Sequence, residues 1–592
     1  MYVKRHAVRR GEKRYVYLRL VESYRDDQGR VRHRVLKTLG REEELKASGQ
    51  LEQLAGSFAR LDPPLHGVRR EVGPLLLVRH FTAQLGIAEA VDRLLPQRGR
   101  SQLSAGEVVC ALVASRLASP SPLYDVAGWA SQAALQELFA IPPALLNDDR
   151  LGRALEAFHP VAEEVRGAVA LRAIERFGQD AARLHLDLTT VRVCGAYERS
   201  ALVQKGWGPD RRVARQVRVL EATNAAGVPL YVRPDPGSAA ELTLIGSALE
   251  RLRELLPEGL VVVADAALGN IKPLCTADQA GLRFVVPLRM VSGFRERFLS
   301  EVGHEALRPL RYVSERERRL PNARRTRYRG ALRSFEVEDS ESGERRSFRV
   351  AYIHSSEEAR EVGAARERAL ATAEDALRRI ERGLGGRHYK TKAQVDRRLA
   401  RVLAPVEGLI EAHSGLADGR PTLAWRRDKQ AIAEAARTDG LSALCTNLRG
   451  RLSASQVLRT YKQQWLVERR HRDLKGSLKV RPIFLQNDDR IAALISVIGL
   501  ALLVFGLIES ELRRRLGEGA ELPGLLGESR SARPTGRTII AAFQGLGLTY
   551  TPNGIRLDRL TPTQRLILDL LDVRVPWPEQ PEPALSKCGR WS

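Results

Sequence analysis

Residues 491–508, IAALISVIGLALLVFGLI, carry no charge over a length close to that needed to cross a bilayer. A helix apolar on every side has to be enclosed by lipid or by protein. This is the only such stretch in the chain, and it follows directly on the basic segment YKQQWLVERRHRDLKG, residues 461–476. The surrounding sequence is charged and soluble in character, so we expect the central helix of a large domain rather than a membrane anchor. A chain of 592 residues is too long for a single core, and three to five domains is the expectation.

The formal net charge is +25, spread along the chain rather than held in a tail. Such a field attracts polyanions, and nucleic acid is the expected partner. The five cysteines, Cys110, Cys194, Cys275, Cys445 and Cys588, include no C-x-x-C pair. Neither a zinc site nor a disulfide framework is indicated, and a reducing cytoplasm fits. The N-terminus has no apolar core of a signal peptide.

The alternation of KRYVYLRLVESYR and DDQGRVRHRVLKTLG, with a turn at 26–29, predicts an N-terminal β-meander over residues 1–45. Residues 46–180 read as helices, either a support domain or a DNA-binding module. RLHLDLTTVRV then alternates cleanly, with Leu184, Leu186 and Leu188 on one face and His185, Asp187 and Thr189 on the other. Strands around 213–236, a helix at about 239–255, a strand ending at Asp265 and another at GLRFVVPL follow. That order predicts a mixed sheet covered by helices, the first part of an α/β core over 181–300. Residues 301–447 read as a β-rich insertion that also holds a polar helix near 357–383, which Ser355 and Glu358 cap. The core resumes over 448–525, and a basic segment with a Pro-rich tail occupies 526–592.

Asp187 lies inside an alternating strand, where an unpaired acid is costly. Asp265 ends an apolar strand, a common ligand position in open sheets. Each could simply accept hydrogen bonds, but two hard oxygen donors at one sheet edge suit Mg²⁺. On a single helix, Tyr461, Gln464, Glu468, Arg472 and Lys475 would share one face. Trp465, beside that stripe, either packs in the core or stacks on a displaced base.

The spacing Tyr461-x2-Gln464-x3-Glu468-x6-Lys475 resembles the Y-x2-R-x3-E-x6-K signature of bacterial insertion-sequence DDE transposases. HLDLTT and VVVADAALGN resemble the strands that carry the first two acids of that family, and KVRPIF and RVLKTLG resemble one of its subgroups. The resemblance implies an RNase H-like fold with Asp187, Asp265 and Glu468 as catalytic metal ligands for two Mg²⁺, with Mn²⁺ as a substitute. It implies DNA contacts from Tyr461, Gln464, Trp465, Arg472 and Lys475. It further implies cut-and-paste transposition on double-stranded DNA, at terminal inverted repeats and at a target, by a homodimer acting at the nucleoid. Two departures stand out. Gln464 replaces the usual arginine, and Asp265-Ala266-Ala267 replaces D-x-G. An amide lacks the fixed charge of a guanidinium, so a catalytically impaired or domesticated transposase that only binds DNA is the alternative. A nuclease of the same fold, cutting DNA without terminal repeats, is a third reading.

Overall fold

Three antiparallel strands open the chain: β1 (Tyr2–Arg10), β2 (Lys13–Arg25) and β3 (Val31–Arg41). They carry twelve Lys or Arg and one acid, Glu22, a density that favours a polyanionic partner. The computed structural model describes all residues except 1, 11–12, 26–30, 49–66, 97–101, 208–211, 241–242, 249–250, 252–258, 266–268, 290–292, 315–316, 319, 340–342, 481–482, 484, 527–529 and 582–592. The turn expected at 26–29 and part of the helix expected at 239–255 lie outside the described residues; residues 243–248 of that helix are helical.

The chain divides into two compact units. One holds Met1–Arg70, Gly547–Arg559 and Trp577–Ser592; the other holds Glu71–Leu546 and Leu560–Pro576. The second unit is built on a ten-stranded sheet. Its strands are β4 (Arg183–Arg192), β5 (Gln204–Trp207), β6 (Val213–Asn224), β7 (Pro229–Pro236), β8 (Val261–Val263), β9 (Arg283–Pro287), β10 (Arg308–Pro309), β11 (Tyr328–Glu338), β12 (Arg345–Ser355) and, after a helical excursion, Leu441–Thr446. β7, β6 and β4 are antiparallel neighbours, while β4, β8 and β9 run parallel. This order, third-second-first-fourth-fifth, is the RNase H-like mixed sheet that the family resemblance implies.

The expected insertion does not form a separate β-rich domain. Leu441–Thr446 pairs with β9 on one side and with β12 on the other. A cut at 300 or 447 would run through these hydrogen-bond ladders. The excursion itself has its own small core. Its helices α1 (Ser356–Arg382) and α2 (Lys392–Leu403) pack Leu370, Leu377, Ile380, Val395 and Leu399 against the hairpin of Ile410–Ala417 and Arg420–Arg427. Ser355 caps the first helix by accepting from the backbone of Glu358.

The greasy run lies in α5 (Asp488–Leu516), whose most apolar window is completely buried within the second unit. Two glycines let it approach the sheet. A Cβ at Gly499 would lie 2.8 Å from Val232, and one at Gly506 would lie 2.7 Å from the Pro229 ring. The helices of the 71–180 region close its other sides, with Arg166 donating to Ser496 at 2.6 Å and Arg490 pairing with Glu156 at 2.9 Å.

Residues 461–475 are not one continuous helix. α3 (Ala454–Lys462) ends at Gln463 and α4 (Trp465–Lys475) begins after Gln464, across a turn of i→i−3 bonds. Tyr461 therefore lies on the first helix and Glu468 on the second. A facing set computed at a constant 100° per residue does not carry across the turn.

Candidate active site

Parallel pairing of β4 with β8 matches Arg183 to Val261, Leu184 to Val262 and His185 to Val263. Two places further along each chain stand Asp187 and Asp265. Side chains alternate across a strand, so Asp187 shares the sheet face of His185. Both acids are half-buried. The face is covered by α3 and α4. Val263, Val285, Ile353 and Leu444 from four strands pack against Ala454, Val457 and Leu458 of α3, with Tyr461 at the margin.

The turn between the two helices is tied to the β4 strand. Arg183 donates to the Gln463 side chain at 3.0 Å. Gln464 is buried, its amide nitrogen donating to the Leu186 carbonyl at 3.0 Å and its oxygen 3.3 Å from His185 Nδ1. Gln464 was expected on the DNA-facing stripe; the structure puts it inside, with both ends of its amide engaged. Nearly two turns into α4, the His471 ring reaches Asp187 at 3.4 Å. These contacts bring the Glu468-bearing helix against the strand that bears Asp187.

Tyr461 lies within the field of all three acids. Its phenol is pushed up to about 12, first by burial and then by the charges of Asp265, Glu468, Glu358 and Asp187. Glu468 is exposed and opens, with Trp465 and Arg472, onto a cleft of about 1540 Å³ in the second unit. Nine Arg or Lys against five Asp or Glu line this cleft, so its field favours a polyanion. Trp465 is half-buried there, with the Arg469 guanidinium 5.4 Å from its ring centre. Lys475 is half-buried on the last turn of α4.

Among the described residues, no group of three or more His, Cys, Asp or Glu is gathered tightly enough to hold one ion. Mg²⁺, however, usually takes one or two protein carboxylates and completes its shell with water and substrate oxygens. Asp187 and Asp265, hard donors at matching positions on adjacent strands, fit that requirement, and Glu468 stands on the helix packed against the Asp187 strand.

Two groups at the centre were missed in the sequence. Glu221 faces Asp187 across the β4–β6 pair and is wholly buried, and His471 lies between them. The signal that marked Asp187, an acid inside an apolar strand, also marks Glu221 in VRVLEATN. Burial pushes Glu221 up to about 8 and pulls His185 and His471 down to about 4 and about 3. The folded chain keeps the Glu221 proton that the unfolded chain loses above pH 4.5, so this group's stabilisation fades as pH rises from 4.5 to 8. The two histidines act oppositely: their stabilisation is complete above pH 6.5 and is lost as pH falls toward 4 and 3. Each proton is worth about 1.4 kcal/mol per pH unit. These three groups together place the stability maximum near pH 6.5. Glu221→Gln is expected to remove the fall in melting temperature between pH 6.5 and 8; an unchanged fall in the variant would refute the assignment.

Three family models match the chain: the N-terminal domain of IS1634 family transposases over residues 3–63, a domain of unknown function (DUF4277) over 69–165, and the transposase DDE domain over 179–504, more than half of the chain. No curated relative matches. Among solved structures, the chain is similar to a piggyBac transposase in a synaptic complex with hairpin DNA. The identity is 11% over 75% of this chain and 77% of that one, at a TM-score of 0.32.

Proposed function

We infer that this chain, which belongs to the insertion-sequence DDE transposases, cuts DNA at the ends of its own element and joins the freed ends to a target. The enzyme is a DDE transposase, and the DDE domain carries a dependence on divalent metal. The observation that supports the finer reading is the matched placement of Asp187 and Asp265 on adjacent strands, with the Glu468-bearing helix packed against the Asp187 strand.

In this reading Asp187, Asp265 and Glu468 hold two Mg²⁺, with Mn²⁺ as a substitute. Bound there, the ions would supply charge to activate a water or a DNA 3′-OH and to stabilise the leaving oxygen. The chain's own groups do the rest. Arg472 and Lys475 hold phosphates beside the scissile bond, and the Tyr461 phenol, kept protonated, donates a hydrogen bond to a phosphate oxygen. Trp465, at the cleft wall, offers a face on which a displaced base can stack. The buried Gln464 instead fixes the turn on which Tyr461 and Glu468 depend. Attack of water on phosphorus breaks the strand and frees a 3′-OH, which attacks the target in turn. Acting on two ends together calls for a homodimer, at the nucleoid in the cytoplasm.

The test is incubation of purified full-length protein and Mg²⁺ with duplexes that carry the element's own ends. Strand cuts at those ends, absent with EDTA and absent on DNA lacking them, are expected. Binding without any cut would favour a protein that only binds DNA, and cuts on any duplex would favour a nuclease.

A further inference from the structure

The reaction proposed above uses Asp187 but leaves unexplained two buried atoms next to it. Glu221 Oε2 and His471 Nε2 have no hydrogen-bond partner within the protein, yet they lie 3.5 Å apart. On the other side of the same ring, His471 Nδ1 lies 3.4 Å from Asp187 Oδ2. The glutamate is completely buried and the histidine nearly so. An unmatched polar atom in such a place is costly. One proton on Glu221 Oε2, donated to Nε2, satisfies both atoms and leaves the single N–H of a neutral ring at Nδ1.

We propose that His471 is a positioning residue: wedged between Glu221 and Asp187, it donates Nδ1–H to Asp187 Oδ2 and fixes the direction in which that carboxylate presents itself to a divalent cation. An ionised carboxylate can only accept, so the proton facing Asp187 belongs to the ring. Its other oxygen, Oδ1, accepts from the Leu188 backbone at 2.8 Å. With both oxygens tethered, the carboxylate plane cannot rotate freely. Glu221 sets the ring in turn, and the Thr223 hydroxyl holds Glu221 Oε1 at 2.6 Å. The line from Thr223 through Glu221 and His471 to Asp187 joins β6, α4 and β4. The helix that carries Glu468 is thereby keyed to the strand that carries the first acid. Partners behind a metal ligand typically change metal affinity by about 10- to 100-fold when removed.

This inference rests on the metal-binding role given to Asp187, and its test separates the two. Mn²⁺ binding to the DNA-free, full-length protein is measured by electron paramagnetic resonance, beside the Mg²⁺ concentration that gives half-maximal cleavage. The variants are His471→Asn, whose amide nitrogen falls near Nδ1, and His471→Gln, whose amide falls near Nε2. We expect His471→Gln to weaken Mn²⁺ binding by about 10- to 100-fold and His471→Asn to stay near wild type. Equal affinities in the two variants would overturn the positioning role, because a space-filling role makes no distinction between the two nitrogens. Absence of Mn²⁺ binding by the wild-type protein would overturn both this role and the metal site itself.

Discussion

Asp187→Asn is expected to abolish metal-dependent cleavage of element-end DNA, by roughly 10⁴-fold or more, with DNA affinity nearly unchanged. The asparagine keeps the shape of the side chain, and its oxygen can still accept from the Leu188 backbone as Asp187 Oδ1 does at 2.8 Å. What is lost is the negative charge that a hard cation requires of its ligand. Affinity for DNA comes instead from cations on phosphates, and the basic cleft lined by Arg459, Arg472 and Arg514 is untouched by the substitution. A mobility-shift titration alongside a cleavage gel separates the two effects. Glu468→Gln, on the exposed face of α4, is expected to behave in the same way. Normal cutting by either variant would remove that acid from the site.

The largest loss of stability is expected from Glu509→Ala. Glu509 sits on α5 with its carboxylate buried among three guanidiniums: Arg469 at 2.5 Å, Arg513 at 2.6 Å and Arg470 at 3.1 Å. It also accepts from the Gly536 backbone at 3.0 Å. Burial raises its affinity for a proton, but the charges of Arg470, Arg469 and Arg513 outweigh this and hold it below the ordinary carboxylate range. Arg470 is entirely enclosed, donating to the Gly227 carbonyl at 2.6 Å and pairing with Asp473 at 3.1 Å. Gly227 closes the Asn-Ala-Ala-Gly turn at φ +80°, a conformation open to glycine at little cost. Removing Glu509 leaves buried positive charge with too little compensation, a change that costs about 3–5 kcal/mol. Urea unfolding of the full chain measures it, and a loss under about 1 kcal/mol, the scale of an exposed pair, would show that the cluster is solvated. Arg469 and Arg470 belong to the Glu468 helix, so cleavage is expected to fall with stability in this variant.

That cluster shows how one motif divides between roles. In ERRHR, residues 468–472, the sequence offers four consecutive bases. The structure buries Arg470 and His471, half-buries Arg469 against Trp465 and Glu509, and leaves Arg472 at the cleft. Charge alone does not separate them, because a guanidinium is equally good at a phosphate and at a buried carboxylate. Only the packing of α4 between β4 and α5 assigns each one. For the same reason Gln464, which in sequence looks like a weakened phosphate grip, is a hydrogen-bonded wedge against Leu186 and His185.

The sequence by itself determined the succession of strands and helices along the core, the burial of the 491–508 run and the three acids as candidates. Each follows from local pattern: alternation marks a strand, an uncharged run demands enclosure, and an acid in an apolar strand demands a partner. Tertiary structure alone decided that Leu441–Thr446 closes onto the core sheet rather than an insertion, that the motif helix breaks at Gln463 and Gln464, and that Glu221 and His471 meet Asp187. These depend on which distant segments lie side by side. Hydrogen-bond ladders and buried charge pairs join residues hundreds of positions apart, and no periodicity along the chain records that choice.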